Sequence, residues 1–183
     1  MDFSRLRQLQ LSSDTEIKPF KCAEEDLNGF LFEDAKHFHQ ELMAVTYLLE
    51  DTSENVTVAY FSLLADKITF NPDEKSIWNR LNRNIPNPKR RKSYPAIKIG
   101  RLAVNEEFTG QGIGTFVLDS IKYTFTANKR LGCRFLTVDA LNSAVSFYER
   151  NGFQFFTDSD AKDETRLMFY DLKNFVQVTN GRG

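Results

Sequence analysis

The amino-acid sequence predicts an α/β fold in which helices flank a mixed β-sheet. Two apolar segments, residues 42–49 and 56–64, are separated by the short polar turn 50–55, and this arrangement favours an antiparallel hairpin. The rest of the chain alternates between strand-like and helix-like apolar patterns, in the order strand, helix, strand, helix, strand, strand. That alternation is typical of a layered fold in which helices cover a sheet.

The length and composition of the chain fit one globular domain. Of the 183 residues, 41% are hydrophobic and 27% are charged, which is the balance of an ordinary soluble domain. We therefore expect residues 1–183 to form a single domain. The formal net charge of −1 gives no overall attraction to nucleic acids or membranes, so such attraction requires a local patch of charge.

The sequence indicates neither a targeting segment nor a metal site. Residues 1–10 lack the continuous apolar stretch of a secretory signal, and no segment approaches the ~20 apolar residues of a membrane span. Cys22 and Cys133 do not have the spacing of a metal or redox motif. His37 and His39 are two residues apart on a predicted helix, where they do not share a face. We expect a cytoplasmic protein with reduced cysteines and no metal.

Helices and strands follow one another along the chain without internal repeats. Apolar residues at helical spacing predict a helix over 24–40, and residues 71–74 (Asn-Pro-Asp-Glu) predict the start of a short helix that runs to about Leu81. In the second half we expect strands over 96–104, 133–139, 153–157 and 166–171, and helices over 110–128 and 143–151, the latter closed by Gly152.

Residues 80–92 differ in composition from their surroundings. The prolines at the centre of this segment predict an exposed loop. A basic loop of this kind is either simply solvated or attracts a polyanion such as RNA, and the sequence leaves both interpretations open. The segment contains no acidic residue, and its basic residues are Arg80, Arg83, Lys89, Arg90, Arg91 and Lys92.

A glycine-rich segment follows the predicted strand 96–104. Residues 109–115 read Thr-Gly-Gln-Gly-Ile-Gly-Thr. Glycines let the backbone turn tightly and approach a ligand, and a helix that begins there adds unpaired N–H groups and the positive end of its dipole. The segment favours an anion site for a phosphate or pyrophosphate, and the alternative is a plain glycine-rich turn.

Two nucleotide-binding motifs fit this segment poorly. A P-loop requires a lysine after its last glycine, whereas Gly114 is followed by Thr115 and Phe116. A Rossmann motif requires the spacing G-x-G-x-x-G after the first strand of the fold, whereas the spacing here is G-x-G-x-G after a later strand.

A second candidate segment spans residues 138–153. A strand end with Asn142 leads into a short helix with Phe147 and Tyr148, and the sequence Asn-Gly-Phe then enters the next strand. Tyr148 is able to donate a proton, because a tyrosine with its normal pKa near 10 is protonated at neutral pH. Asn142 is able to hydrogen-bond an amide-rich ligand. Packing along the helix is the alternative for Phe147 and Tyr148.

Taken together, these two segments resemble the acetyl-CoA site of the GNAT acetyltransferases. The similarity is carried by residues 101–104 (RLAV), the loop 109–114 and residues 147–153 (FYERNGF), within a core of about 96–157. It implies the GNAT acyl-CoA N-acyltransferase fold, with a central, mostly antiparallel mixed sheet flanked by helices. It also implies transfer of an acetyl group from acetyl-CoA to a primary amine.

The resemblance implies roles for individual residues. In the family the glycine loop binds the CoA pyrophosphate through backbone N–H groups, and the preceding strand pairs with the pantetheine arm. The general acid of the family corresponds to Tyr148, and we expect the N–H group of Val104 to stabilise the oxyanion. The usual first loop residue is Arg or Gln, whereas this chain has Thr109, and backbone contacts survive that change. The implied cofactor-binding residues are Leu102, Ala103, Val104, Thr109, Gly110, Gln111, Gly112, Ile113, Gly114, Thr115 and Asn142.

A looser similarity links the N-terminal half to TacT-like GNAT toxins. Those enzymes acetylate the α-amino group of aminoacyl-tRNA and are held in check by a small partner protein. The similarity is carried by the helix 27–38, residues 59–63 and residues 93–95. It implies tRNA as the acceptor, held by the basic segment from Arg80 to Lys92, and a small antitoxin-like partner.

Other interpretations stay open at this stage. A non-catalytic CoA-binding module would have the same cofactor motif. The general base is either one of the glutamates beside the loop, Glu106 or Glu107, or a chain of water molecules. Pairing through edge strands or an aromatic surface makes a homodimer a candidate assembly.

Overall fold

The computed structural model of the chain describes residues 3–127 and 131–180. The strands in this part of the chain are β1 (Leu6–Gln10), β2 (Val45–Asp51), β3 (Val56–Thr69), β4 (Ser93–Val104), β5 (Phe135–Leu141), β6 (Gln154–Phe155) and β7 (Thr165–Asp171). The helices are α1 (Glu25–Gly29), α2 (Ala35–Gln40), α3 (Lys75–Asn82), α4 (Ile113–Ala127), α5 (Val145–Arg150) and α6 (Leu172–Asn180). None of the described helices is both long enough and apolar enough to cross a membrane.

The strands form a sheet in the order β1-β2-β3-β4-β5-β7-β6. The pairs β1/β2, β2/β3, β5/β7 and β6/β7 are antiparallel. The predicted hairpin is confirmed, with Tyr47 of β2 opposite Phe61 of β3. The α/β fold class with a mixed, mostly antiparallel sheet is confirmed as well.

The chain divides into two compact units. The first unit contains the residues up to Leu64 together with Ile99–Ser120, and the second contains Ala65–Lys98 together with the residues from Ile121 onward. Both units are discontinuous in sequence, because the chain passes from one to the other within β3, β4 and α4. The assignment of residues 1–183 to a single domain stays a prediction.

The core of the first unit forms between the N-terminal helical segment and the hairpin. The predicted helix 24–40 is present, but a π-helical turn over Phe30–Asp34 separates α1 from α2. The hydroxyl of the buried Tyr60 donates a 2.6 Å hydrogen bond to the Leu27 carbonyl, which a regular α-helix would pair with the N–H of Leu31. Insertion of a side chain into the hydrogen-bond ladder is a known cause of such turns. Leu31 and Ala35 are fully buried in this core.

An aromatic cluster forms the core of the second unit. Trp78 of α3 stacks on Tyr94 of β4 at 5.3 Å between ring centroids, and Tyr94 contacts Phe135 of β5 edge to face at 6.0 Å. The Tyr94 hydroxyl donates to the side-chain oxygen of the buried Asn82 at 2.6 Å and accepts from the N–H of Arg91 at 3.1 Å. Asn82 and Arg91 both belong to the basic segment 80–92, so these two hydrogen bonds connect that segment to the core.

Several element boundaries differ from the sequence-based expectation. The strand predicted from residue 42 begins at Val45, because the N–H groups of Leu42 and Met43 close the turn after α2 by bonding to the carbonyls of His39 and Phe38. Leu42 has a positive φ of 58° and is 92% exposed. Strand β1 and helix α6 were not predicted. The end of the helix predicted to reach Asn128 lies outside the described residues.

We expect Tyr94→Phe to lower the free energy of unfolding by about 1–3 kcal/mol, because the change leaves a buried amide oxygen and a backbone N–H without their partner. Urea denaturation monitored by circular dichroism measures the change. Tyr123→Phe is the matched control, since the Tyr123 ring is exposed. Equal stabilities of the two variants would contradict the structural role of the Tyr94 hydroxyl.

Candidate cofactor-binding and catalytic site

The glycine loop lies in the first unit, between β4 and α4. Gly110 and Gly112 have φ values of +79° and +82°, a conformation that L-amino acids other than glycine rarely adopt. A Cβ atom added to either glycine would meet no atom within 4 Å. The glycines are therefore required by the backbone conformation rather than by crowding, and the space outside the loop is open.

The start of α4 presents a row of unpaired hydrogen-bond donors. Helix α4 begins at Ile113, and its first backbone hydrogen bond runs from the N–H of Phe116 to the carbonyl of Gly112 at 3.0 Å. Within the described part of the chain, the N–H groups of residues 111–115 donate to no protein acceptor. We call these five groups the N–H cradle. Such a cradle, at the positive end of a 15-residue helix, is suited to a phosphate or pyrophosphate group.

A buried asparagine, Asn105, fixes the entrance to this loop. Its backbone N–H donates to the Val58 carbonyl at 2.9 Å, and its side-chain amide donates to the Thr57 carbonyl at 3.1 Å. Its side-chain oxygen accepts the N–H of Glu107 at 3.2 Å and caps the turn that leads to the glycines. Asn105 was not predicted from the sequence, although an asparagine directly before a short turn is a typical capping signal.

The predicted pantetheine-pairing residues form the end of β4. Ala103 is buried, whereas Leu102 and Val104 are half-buried. Thr109, the irregular first loop residue, is exposed, and its N–H donates to the Glu106 carbonyl at 3.3 Å. Residues 102–104 and 109–115 thus belong to the same unit, and their role in cofactor binding stays a prediction.

Tyr148 belongs to α5 in the second unit. Its side chain is only 5% exposed and packs against Phe147 and Phe153, with ring centroids 5.1 and 5.3 Å away. Burial raises the pKa of the Tyr148 phenol well above its ordinary value of 10.0. The hydroxyl makes no hydrogen bond to a described residue, yet it is not among the fully buried, unpartnered polar atoms. It therefore keeps its proton and remains in contact with solvent.

Asn142 is an exposed residue directly after β5. Its backbone N–H donates to the Glu164 carbonyl at 3.3 Å, and its side-chain amide donates to the Asp163 carbonyl at 2.9 Å. These bonds connect the end of β5 to the residues that lead into β7. The side-chain oxygen of Asn142 is left as an acceptor for an amide N–H of a ligand.

The basic segment is not the uniformly exposed loop that its composition predicts. Arg80 lies in α3 and donates to the Phe155 carbonyl at 2.8 Å. The Arg90 guanidinium donates to the carbonyls of Ile85 and Asn82 at 3.2 and 3.1 Å, so it serves the fold. The basic residues whose side chains are exposed without a hydrogen bond or ion pair to another described residue are Arg83, Lys89, Arg91 and Lys92.

The described residues contain no group of three or more His, Cys, Asp or Glu side chains arranged to hold a metal ion. His37 and His39 lie on α2, the first exposed and the second half-buried. Cys22 and Cys133 are free thiols, buried and half-buried respectively. Burial raises the pKa of the Cys133 thiol to about 11.

Known proteins with the same features are acetyltransferases. Residues 81–155 match the family model of the acetyltransferase (GNAT) domain. The crystal structure of a tyrosine-to-phenylalanine mutant of KacT is 26% identical, with a TM-score of 0.75 over 95% of this chain and 99% of that chain. The chain therefore contains a GNAT acetyltransferase domain.

Two further solved structures show the same fold. AtaT complexed with acetyl-methionyl-tRNAfMet is 26% identical, with a TM-score of 0.73 over 95% of this acetyltransferase and 99% of that chain. The KacTA–DNA complex is 26% identical, with a TM-score of 0.70 over 96% of this acetyltransferase and 99% of that chain. Nearly the whole length of each chain is matched, so the likeness extends beyond the segment that carries the GNAT motif.

We expect Gly112→Ala to weaken acetyl-CoA binding by about tenfold. A non-glycine residue at this positive φ costs about 1–2 kcal/mol, and relief of that strain would turn the N–H cradle away from its ligand. Isothermal titration calorimetry measures the affinity. Gly132→Ala is the control, because Gly132 has neither a positive φ nor a close neighbour. Unchanged affinity of Gly112→Ala would remove this loop from the acetyl-CoA site.

Proposed function

We propose that this acetyltransferase moves the acetyl group of acetyl-CoA to the α-amino group of an aminoacyl-tRNA, with Tyr148 as the general acid. The N–H cradle at residues 111–115 is the observation that carries the acetyl-CoA part of this proposal. Five unpaired donors at a helix N-terminus fit a pyrophosphate, which is one of the anionic groups of CoA. The whole chain, residues 1–183, is proposed to act as one acetyltransferase domain.

The remaining proposed contacts to the cofactor are made by residues at the ends of β4 and β5. Leu102, Ala103 and Val104 are the last residues of β4, and we propose that their backbone pairs with the amides of the pantetheine arm. The free side-chain oxygen of Asn142 is proposed to accept an amide N–H from the same arm. The exposed Thr109 contributes only the shape of the loop, since its N–H and hydroxyl both bond within it.

The proposed reaction is direct transfer. The neutral amine nitrogen attacks the thioester carbonyl carbon, the C–N bond forms, and the N–H of Val104 stabilises the oxyanion. As the C–S bond breaks, the Tyr148 hydroxyl donates its proton to the departing sulfur, and the amine loses its extra proton to water. The high pKa of Tyr148 suits this role, because the group stays protonated across the physiological pH range.

We expect Tyr148→Phe to lower kcat by about 10²–10⁴-fold, because only the proton donor is lost. The affinity for acetyl-CoA should stay nearly the same. Release of free thiol, followed with a chromogenic reagent, measures the rate. Since the pKa of Tyr148 is raised, the wild-type kcat should not fall from neutral pH to about 10 through loss of this proton. An undiminished rate of Tyr148→Phe would exclude Tyr148 as the acid.

The choice of acceptor is supported by charge and by one similar structure. AtaT, 26% identical, is bound to acetyl-methionyl-tRNAfMet. In this chain Arg83, Lys89, Arg91 and Lys92 carry exposed charges that no described partner neutralises. Four such cations on one segment suit a phosphate backbone, although the chain as a whole has a net charge of −1.

We expect the combined change of Lys89, Arg91 and Lys92 to Gln to weaken binding of aminoacyl-tRNA and to flatten its salt dependence. Each lost phosphate contact reduces the slope of log affinity against log salt by roughly 0.7–0.9. Filter binding at several salt concentrations measures that slope. Arg90 is left intact because it holds the fold through Asn82 and Ile85.

The matched control for this experiment removes three exposed lysines elsewhere in the second unit, Lys67, Lys162 and Lys173, also by change to Gln. The net charge changes equally in the two variants. If both variants lose the same affinity, the attraction is a property of total charge, and the basic segment is not the tRNA site.

A non-catalytic CoA-binding module is the competing function. It predicts acetyl-CoA binding by calorimetry without thiol release on any amine in a panel of aminoacyl-tRNAs, polyamines, amino acids and peptides. A small antitoxin-like partner, a homodimer and a cytoplasmic location stay predictions of the sequence. Induced expression in a bacterial host tests the hypothesis that the protein is a toxin, and normal growth would contradict that hypothesis.

A further inference from the structure

Lys122 is a buried lysine that the proposed reaction does not use. Lys122 lies on α4 and is only 4% exposed. The other buried residues of α4 are apolar. Burial of an ammonium group is costly unless partners replace its water shell. The partners of Lys122 therefore indicate what the residue stabilises.

Three described partners of Lys122 belong to the elements around Tyr148. The Lys122 ammonium donates to the Asn151 carbonyl at 3.1 Å, and Asn151 caps the C-terminus of α5. The same ammonium lies 4.6 Å from the centroid of the Tyr170 ring on β7 and 5.9 Å from that of Phe175 on α6. A cation placed over an aromatic face and at the negative end of a helix is stabilised in both positions.

The turn after α5 is fixed from two sides. Gly152 has a φ of +84°, and a Cβ atom at this position would lie 3.0 Å from the ring of Tyr170. The Tyr170 ring also packs on Phe153, at 5.5 Å between centroids, and Phe153 packs on Tyr148 at 5.3 Å. The Tyr170 ring therefore contacts the Lys122 ammonium and, through Phe153, is linked to the Tyr148 ring.

Backbone hydrogen bonds link the same groups directly. The Tyr148 carbonyl accepts the N–H groups of Asn151 and Phe153, each at 3.0 Å, and the Asn151 side chain donates to the Phe147 carbonyl at 2.8 Å. A shift of Asn151 would therefore move the last turn of α5, on which Tyr148 lies. The Lys122 ammonium binds the Asn151 carbonyl and so connects α4 to this turn.

We propose that Lys122 is a positioning residue, whose ammonium clamps the Asn151 carbonyl and the Tyr170 ring and thereby fixes the orientation of the Tyr148 hydroxyl. This inference rests on the proposed role of Tyr148 as the general acid. It differs from a purely structural role, because it requires coupling between Lys122 and one particular side chain. A proton donor displaced by a fraction of an ångström loses much of its effect on rate.

The first test uses ¹⁹F NMR of the full chain labelled with 3-fluorotyrosine. The resonance of Tyr148 is assigned by its disappearance in Tyr148→Phe, and that of Tyr60, which lies in the other compact unit, by its disappearance in Tyr60→Phe. Lys122→Met keeps the length of the side chain and removes its charge. It should shift or broaden the Tyr148 resonance and leave that of Tyr60 in place.

This spectrum decides the proposal whether or not the chain transfers acetyl groups in the assay. An unchanged Tyr148 resonance in Lys122→Met would overturn the clamp. So would equal changes at Tyr60 and Tyr148, which indicate general loosening of the fold. If Lys122→Met fails to fold, Tyr170→Leu removes the ring below the ammonium and is judged by the same two resonances.

The second test is a double-mutant cycle with acetyl transfer as the readout. Lys122→Met alone should lower kcat by about tenfold or more and leave the KM for acetyl-CoA almost unchanged, because Tyr148 is misplaced and the cofactor loop is not. In a chain that already carries Tyr148→Phe, the same change should have little further effect. Lys122→Arg keeps the charge and should recover part of the lost rate.

Lys75→Met is the control for the cycle, since Lys75 is an exposed lysine at the start of α3 in the same unit. It should leave both kcat and KM unchanged. Additive losses from Lys122→Met and Tyr148→Phe would overturn the inference while leaving the role of Tyr148 intact. Full activity of Tyr148→Phe alone would instead contradict the proposed function, so the two failures are distinguishable.

Discussion

The left-handed backbone at Gly110 and Gly112 is the constraint on which the proposed cofactor site depends. Those two conformations turn the chain sharply enough that α4 begins with the N–H groups of residues 111–115 unpaired. Unpaired donors at a helix N-terminus are tolerated when they face water or an anionic ligand. The buried Asn105 prepares this geometry by bonding to the backbone of β3 before the loop begins.

The proposed general acid, Tyr148, must satisfy a different physical requirement. A general acid must hold its proton until the leaving sulfur develops charge, and it must still reach the reacting atoms. Packing of the Tyr148 ring between aromatic neighbours raises the pKa of its phenol, while the hydroxyl itself stays in contact with solvent. Backbone conformation shapes the glycine loop, whereas side-chain packing sets the environment of Tyr148. Lys122 belongs to that packing, since it joins α4 to the end of α5 through one carbonyl.

The basic residues of the segment 80–92 have two different structural roles. The sequence does not show which of the six cations serve the fold, whereas the structure shows that Arg80 and Arg90 bond to backbone carbonyls. A guanidinium can satisfy several carbonyls at once, which a lysine ammonium does less well. The exposed residues Arg83, Lys89, Arg91 and Lys92 carry charge that no described partner neutralises.

The sequence by itself determined the features that depend on local chemistry. The antiparallel hairpin, the glycine loop before α4 and the helix start at residues 71–74 follow from turn residues, glycine conformations and caps, which act over a few residues. Tertiary structure decided the features that depend on distant partners. Leu42 is apolar yet exposed in the turn after α2, where its N–H bonds to the His39 carbonyl. The π-helical turn lies where Tyr60, 33 residues away, donates to the Leu27 carbonyl. Lys122 likewise gained its place only from Asn151 and Tyr170, since no local pattern marks a lysine for burial.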